Sequence, residues 1–342
     1  MGLAQSPDHL SAALKSAIIG QDDAVDAVVR ALTISAAGIR DPHRPIASLL
    51  LVGPTGVGKT ELARRLADEV AGSADKLCRI DMNSLAQEHY AASLSGAPPG
   101  YSGSKEGLTL FDPDLIRGNH SRPGIVLFDE IEKAHTTVLR SLLQILDSGL
   151  LRLTAGTDVI DFRNAVVLLT SNLGSAQVAA RRREQRSITR LLQPWRREAD
   201  DGQTIAEAVE SFFDPELYNR FDEVVVFGAL SRTDAGAIAA LEIARLQTRL
   251  AARGIAWEPG HDVHALLVER GFDPTYGARH LKRTVRVLLH APVARAVVTY
   301  PETQALRLTT RVVSGEVIVT VVPDLPAAES PISTNPSGES LP

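Results

Sequence analysis

The sequence predicts an α/β fold: a parallel sheet with helices on both faces, then a smaller, mainly helical C-terminal subdomain carrying a β-hairpin. Three observations predict it. Short apolar runs alternate with helical patterns through the first two thirds of the chain. A glycine-rich loop joins the first run to an amphipathic helix. From Ser231 the texture changes to long Ala- and Leu-rich stretches that end in an alternating segment around Ser314-Gly315.

The strand-like runs are residues 48–52, 77–81, 125–128, 165–170 and 223–227. Near-continuous apolar strands are the mark of a sheet buried on both faces. Between the first two, residues 61–71 place Leu62, Leu66 and Val70 at helical spacing. Ser231 is a suitable cap for a helix running towards Arg253, and a second helix spans 263–270 before the turn Gly271-Phe272-Asp273-Pro274. A third covers 279–299, with a kink expected at Pro292. Residues 306–322 read as a strand pair. The expected division is 1–228 for the large α/β subdomain, 229–323 for the small one, and 324–342 for a disordered Pro- and Ser-rich tail.

Composition narrows the function classes. Aromatics are only 4% of the 342 residues, so aliphatic packing must dominate the core. A net charge of −5 gives no bulk attraction to nucleic acid or to an anionic membrane. Cys78 is the single cysteine, which excludes an intramolecular disulfide, and it reads as a small buried residue. No apolar run approaches the ~20 residues that span a bilayer. The first ten residues lack the basic and apolar regions of a signal peptide, so a cytoplasmic location is expected. The cluster Arg181-Arg182-Arg183, Arg186, Arg190, Arg196 and Arg197 is either a solvated helical face or a docking surface for an acidic partner or nucleic acid. His261 and His264 have metal-ligand chemistry but no second cluster to complete a site, and they read better as a helix start.

Gly53-Pro54-Thr55-Gly56-Val57-Gly58-Lys59-Thr60 matches the phosphate-binding P-loop in full, between an apolar strand and a helix as that pattern requires. Its glycines let backbone N–H groups curl around phosphate oxygens, and the helix N-terminus adds positive potential. Lys59 is expected on the β- and γ-phosphates of ATP and Thr60 on Mg2+. Further on, Gly124-Ile125-Val126-Leu127-Phe128 ends in Asp129-Glu130. Asp129 is expected in the Mg2+ shell, and Glu130 to orient or activate the attacking water. Retention of that glutamate points to ATP hydrolysis rather than binding alone.

Together the motifs resemble those of the Clp-type AAA+ unfoldases and are most similar to the second ATPase module of ClpB-like disaggregases. The resemblance covers residues 16–322. Ile18-Ile19-Gly20-Gln21 is similar to the adenine-side box, which implies that Ile18 and Ile19 pack on the base. Gly100-Tyr101-Ser102-Gly103 resembles the loop that projects into the axial pore, which implies that Tyr101 grips a substrate polypeptide. Thr170-Ser171-Asn172 looks like sensor 1, with Asn172 on the γ-phosphate or the attacking water. Asn219-Arg220-Phe221 resembles the arginine-finger segment, so Arg220 would serve the neighbouring subunit. Gly277-Ala278-Arg279 resembles sensor 2, placing Arg279 on the γ-phosphate of its own subunit. A finger given in trans leaves a lone subunit incomplete, and the resemblance implies a homohexamer.

The implied function is an ATP-dependent unfoldase or remodelling chaperone that threads unfolded or misfolded polypeptide through a central pore. The alternative is an ATP-dependent switch or assembly scaffold without processive unfolding. Some features depart from the family. The N-terminal domain, first ATPase ring and coiled-coil middle domain of the disaggregases are not in this sequence, so remodelling of single polypeptides is expected rather than full disaggregation. Ser102 stands where a small apolar residue usually follows the pore tyrosine. Where peptidase-feeding members carry Ile-Gly-Leu, the nearest stretch is Ser187-Ile188-Thr189-Arg190, so docking to a ClpP-type peptidase is not expected.

Overall fold

The computed structural model describes residues 6–87, 111–119, 121–152, 159–178, 180, 195–274, 276–300 and 306–323. They divide into two compact units. The first takes the chain up to Ile238 and also Phe272–His280; the second takes Ala239–Gly271 and the chain from Leu281 onward.

In the first unit, α1 (Pro7–Ala17) and α2 (Asp22–Ala36) precede β1 (Ala47–Val52). Helix α1 has the expected start chemistry: the Ser6 hydroxyl accepts from the Asp8 N–H, with proline at the first helical position. The loop after β1 leads into α3 (Lys59–Leu66), extended by a wider turn over Ala67–Ala71. Then come β2 (Leu77–Asp81), α4 (Pro113–Arg117), β3 (Gly124–Asp129) and α5 (Thr136–Ser148). A small antiparallel pair, β4 (Leu150–Arg152) with β5 (Val159–Asp161), precedes β6 (Ala165–Ser171). Helices α6 (Trp195–Phe212) and α7 (Pro215–Tyr218) lead to β7 (Glu223–Val226).

The central sheet has the order β2-β3-β6-β1-β7, every pairing parallel. Every residue of β1, β3 and β6 is buried. Leu50, Val52, Val126, Phe128, Val167 and Leu169 join one apolar cluster with Leu142 and Ile145 of α5 and Ile205 and Val209 of α6. The intervening Leu49, Leu51, Ile125, Leu127, Val166 and Leu168 are equally buried on the other face. Because successive strand side chains alternate faces, both faces are covered. This is the expected α/β fold, with strand bounds within a residue or so of those read from the apolar runs.

Helix α8 (Arg232–Ala251) begins in the first unit, with the Ser231 hydroxyl accepting from the Asp234 N–H, and continues into the second. The second unit holds β8 (Ala256–Pro259), α9 (His261–Gly271), most of α10 (Gly277–Val285), α11 (Ala291–Thr299), β9 (Leu306–Val313) and β10 (Glu316–Pro323). Strands β9 and β10 form the expected hairpin. Ser314 and Gly315 at its tip both have positive φ, at 51° and 79°, the two-residue turn whose twist matches the strands. An addition the sequence did not suggest is β8, which pairs in parallel with β9.

The helix expected over 279–299 is there as one continuous run, α10 passing into α11 through a π-turn, Arg286–His290. Pro292 has no N–H for the carbonyl four residues earlier, and the wider turn just before it accommodates that loss. His261 sits in the first turn of α9, as the helix-start reading requires. Among the described residues no group of three or more His, Cys, Asp or Glu is placed to hold a metal, and no helix is long and apolar enough to cross a membrane.

Candidate functional site

Because β1, β3 and β6 run side by side in parallel, their C-terminal ends deliver Gly53, Asp129–Glu130 and Asn172 to one edge of the sheet. Lys59 opens α3 at that edge and is only 7% exposed. Its ammonium donates to the carbonyls of Gly53 and Pro54 at 2.6 and 2.8 Å, and to Asn172 Oδ1 at 3.0 Å. Burial pushes its pKa down to about 8, against the upward pull of Glu132, Asp129 and Glu130; Arg279 pushes the same way as burial.

Asp129 is 6% exposed and is the hub of the carboxylate side. Thr60 Oγ1 donates to Asp129 Oδ1 at 3.4 Å, and the Thr170 hydroxyl donates to the same oxygen. Arg79 donates to Oδ2 from Nε at 3.0 Å and from Nη2 at 2.6 Å. The Glu130 N–H in turn donates to Thr170 Oγ1 at 3.0 Å. Glu130 has φ 60° and ψ 54°, the left-handed region that a residue with a Cβ occupies only when its surroundings impose it. Its carboxylate accepts from Asn83 Nδ2 at 3.3 Å. Asn172 is held on both sides: Glu132 Oε1 accepts from its backbone N–H and from Nδ2, each at 3.2 Å.

The segment Gly277–Arg279, expected from the sequence as sensor 2, falls in the same compact unit as the P-loop. The Ala278 N–H donates to the Gly56 carbonyl at 2.9 Å. A Cβ on Gly56 would stand 2.4 Å from the Tyr276 carbonyl oxygen and 3.3 Å from the Arg279 nitrogen, and Gly56 has φ +79°. Glycine is therefore required there on two counts. On the opposite flank, a Cβ on Gly58 would meet the Ile18 side chain at 3.5 Å. Ile18 is buried and Ile19 partly so. Buried Gln21 fixes this flank, donating to the Gly228 carbonyl and accepting from its N–H, both at 3.0 Å.

Arg220 is elsewhere. The Asp222 N–H donates to the Ser48 carbonyl, and Leu49 pairs with Glu223, which sets Arg220 at the N-terminal end of β1 and β7, opposite the P-loop. It pairs with Asp147 at 3.2 Å, and its Nε is buried with no hydrogen-bond partner among the described residues. Tyr101, and all of the Arg-rich segment before Trp195, lie outside the described residues.

The residues present fit a nucleotide with Mg2+. A glycine-lined loop with a buried ammonium suits phosphate, while one hydroxyl and one carboxylate are the sparse hard-oxygen set that Mg2+ takes when phosphates and waters complete its shell. Sequence reading missed Arg79 and Asn83, and it gave no part of their own to Thr170, named only as the start of the sensor-1 segment, or to Glu132. Arg79 had a faint signal, a charged residue between the buried Cys78 and Ile80 on a strand.

The comparisons agree with this arrangement. Residues 44–224 match the family model described as AAA domain (Cdc48 subfamily), and residues 230–304 match that of the C-terminal, D2-small domain of ClpB protein. An ATP-dependent protease ATP-binding subunit-like protein of Rhodococcus erythropolis is 54% identical over 319 residues, 92% of this chain and 90% of that one. Its namesake AmiB of Pseudomonas aeruginosa is 46% identical over 285 residues, 82% of this chain and 76% of the other. The chaperone protein ClpB of Rhizobium meliloti is 42% identical over 281 residues, 82% of this chain but 30% of that longer protein. With its sheet order, its P-loop edge and these matches, the chain belongs to the Clp-type AAA+ ATPases, in the branch of the second ATPase module of ClpB.

Proposed function

We propose that this ATPase is a polypeptide-remodelling motor that works as a ring, in which each site is completed by the neighbouring subunit. Lys59 holds the β- and γ-phosphates of ATP, with the N–H groups of residues 53–60 around them. Thr60 and Asp129 take Mg2+, which when bound neutralises charge on the transferring phosphoryl group. Glu130 orients the attacking water, and Asn172 donates to that water or to the γ-phosphate. Arg279 supplies fixed positive charge in cis, Arg220 in trans, and Ile18 and Ile19 pack on the adenine. The working division remains a large subdomain over 1–228 and a small one over 229–323.

The observation that supports the ring is the position of Arg220. Strand β1 has six residues, about 20 Å at ~3.3 Å per residue, and it separates Arg220 from Lys59. That span exceeds the reach of an arginine side chain, so Arg220 cannot serve its own phosphate site. It is nonetheless held at a surface ion pair, where a neighbour's nucleotide is the natural counter-charge.

For the substrate we take unfolded polypeptide, gripped by Tyr101 in the pore of a hexamer. ClpB relatives are named chaperones, which supports this choice. Two relatives are named as ATP-binding subunit-like proteins of an ATP-dependent protease. A ClpP-type peptidase is not among the proposed partners, because the stretch nearest to the docking tripeptide reads Ser187-Ile188-Thr189-Arg190. The test is ATP turnover against protein concentration, with and without casein. Turnover per subunit should rise cooperatively, and casein should stimulate it in wild type but not in Tyr101→Ala. A concentration-independent rate indifferent to casein would instead favour a switch or scaffold.

A further inference from the structure

Asn172 is fixed by two groups of opposite character. Lys59 Nζ donates to its Oδ1 at 3.0 Å, and Thr55 Oγ1 donates to the same oxygen at 3.4 Å. Glu132 Oε1 accepts from its Nδ2 and its backbone N–H, both at 3.2 Å. Turning the amide over would set Nδ2 against an ammonium and Oδ1 against a carboxylate, two repulsive pairs in place of two attractive ones. The orientation is therefore unique. Glu132 Oε2 is buried and has no hydrogen-bond partner among the described residues, so this carboxylate is not spent on another part of the fold. It comes from the 3-10 turn Ile131–Lys133, directly after Asp129-Glu130, and so ties the end of β3 to the end of β6.

We propose that Glu132 is the positioning residue of the sensor: by anchoring one Nδ2 hydrogen and the backbone N–H of Asn172, it aims the second Nδ2 hydrogen at the phosphate edge. An amide nitrogen carries two hydrogens in one plane. Once Glu132 takes one of them and the backbone N–H beside it, the plane of the amide is set and so is the direction of the other. Lys59 alone cannot do this, because a flexible ammonium restrains only the oxygen. This rests on the reading of Asn172 given above, and it assigns Glu132 no contact with the reacting atoms.

The test compares Glu132→Ala, Glu132→Gln, Asn172→Ala and the double variant Glu132→Ala/Asn172→Ala. It reads ATP turnover, the Kd of a fluorescent ADP, and protection from exchange of the Asn172 side-chain amide in nucleotide-free protein. That amide resonance is assigned by its loss in Asn172→Ala. Misaiming a donor by about 1 Å costs up to ~100-fold, so Glu132→Ala should lose roughly tenfold to a hundredfold in turnover while Kd stays within about threefold. Glutamine keeps the accepting oxygen and the shape, so Glu132→Gln should stay within about threefold of wild type and keep the amide protected. The double variant should turn over no more slowly than Asn172→Ala, because the two residues act as a unit.

Glu132→Gln as slow as Asn172→Ala would overturn the proposal, since charge and not aim would then be what matters. That arm stands even if Glu132→Ala does not fold. A double variant slower by the product of the single effects would overturn it too. Wild-type turnover in Asn172→Ala alone would strike the reading of Asn172 itself and take the proposal with it.

Discussion

Arg79 binds Asp129 through two nitrogens, Nε at 3.0 Å and Nη2 at 2.6 Å, both on Oδ2, while Oδ1 of the same carboxylate faces the hydroxyls of Thr60 and Thr170. The strand register explains the meeting. Arg79 pairs with Leu127 across β2 and β3, and Leu127 lies on the same face of its strand as Asp129 two residues on. One protein cation thus occupies half of the carboxylate that is read here as the Mg2+ ligand.

Removing that cation should leave a buried charge without its partner. Arg79→Ala is expected to lose about 1–3 kcal/mol of stability in nucleotide-free protein, tempered because the Arg79 side chain is 45% exposed. Mg2+ with ADP should restore more stability to Arg79→Ala than to wild type, since the metal supplies the missing positive charge. Thermal unfolding with EDTA, with ADP, and with ADP plus Mg2+ measures both. Equal Mg2+-dependent stabilisation in the two proteins would show that Arg79 does not compete for Asp129.

Lys59 gives a pH dependence with a definite sign. Its pKa in the folded, nucleotide-free protein is lowered to about 8 by burial, below the ordinary lysine value. Between pH 8 and the unfolded value the unfolded chain binds more protons, so this group's contribution to stability rises with pH. Nucleotide affinity should move the opposite way, because phosphate needs the charged ammonium. Raising the pH from 7 to 9 should weaken ADP binding by about tenfold. Lys59→Ala should bind weakly at both values without that slope. Fluorescent-nucleotide titrations across the range check it, and a flat profile in wild type would refute the shift.

How much of this was legible in the sequence depended on whether the information was local. Strands such as Ala47–Val52, Gly124–Asp129 and Ala165–Ser171 were visible because a chain buried on both faces must be apolar almost residue after residue. Residues 53–60 and Asp129-Glu130 were visible for the same kind of reason, since each group acts beside its own neighbours in sequence. Arg79, Asn83, Thr170 and Glu132 were not. Each acts on a residue of another segment, through a strand register or a turn that spacing along the chain does not specify. The π-turn at Arg286–His290 was not foreseen because Pro292 marks an irregularity in the helix without specifying its form.

Gly56 offers a test of the contact between the P-loop and the segment carrying Arg279. Alanine would bring a Cβ to 2.4 Å from the Tyr276 carbonyl oxygen at a residue with φ +79°. Gly56→Ala should cost about 1–3 kcal/mol from the backbone conformation, with the steric clash adding to it. ADP affinity should fall together with the thermal unfolding temperature. Arg279→Ala, which leaves the loop backbone alone, should lose turnover without that fall in stability. If Gly56→Ala binds ADP like wild type, the Ala278–Gly56 hydrogen bond is not part of the nucleotide site.

Arg220 makes the last prediction, and mixing variants decides it. Arg220→Ala should keep ADP affinity within about threefold of wild type, since its side chain lies a strand's length from Lys59, and losing a half-exposed ion pair costs at most ~1 kcal/mol. Its turnover should fall roughly 10³-fold, the usual worth of an arginine finger. Lys59→Ala should be inactive for a different reason, its own phosphate site being broken while its Arg220 is intact. If Arg220 acts across an interface, mixing the two inactive proteins places intact arginines beside intact phosphate sites, and turnover should return to a measurable fraction of wild type. If it acts within its own subunit, no mixture contains a complete site. Two dead variants that stay dead together, under conditions where wild-type subunits exchange, would therefore reject the shared site.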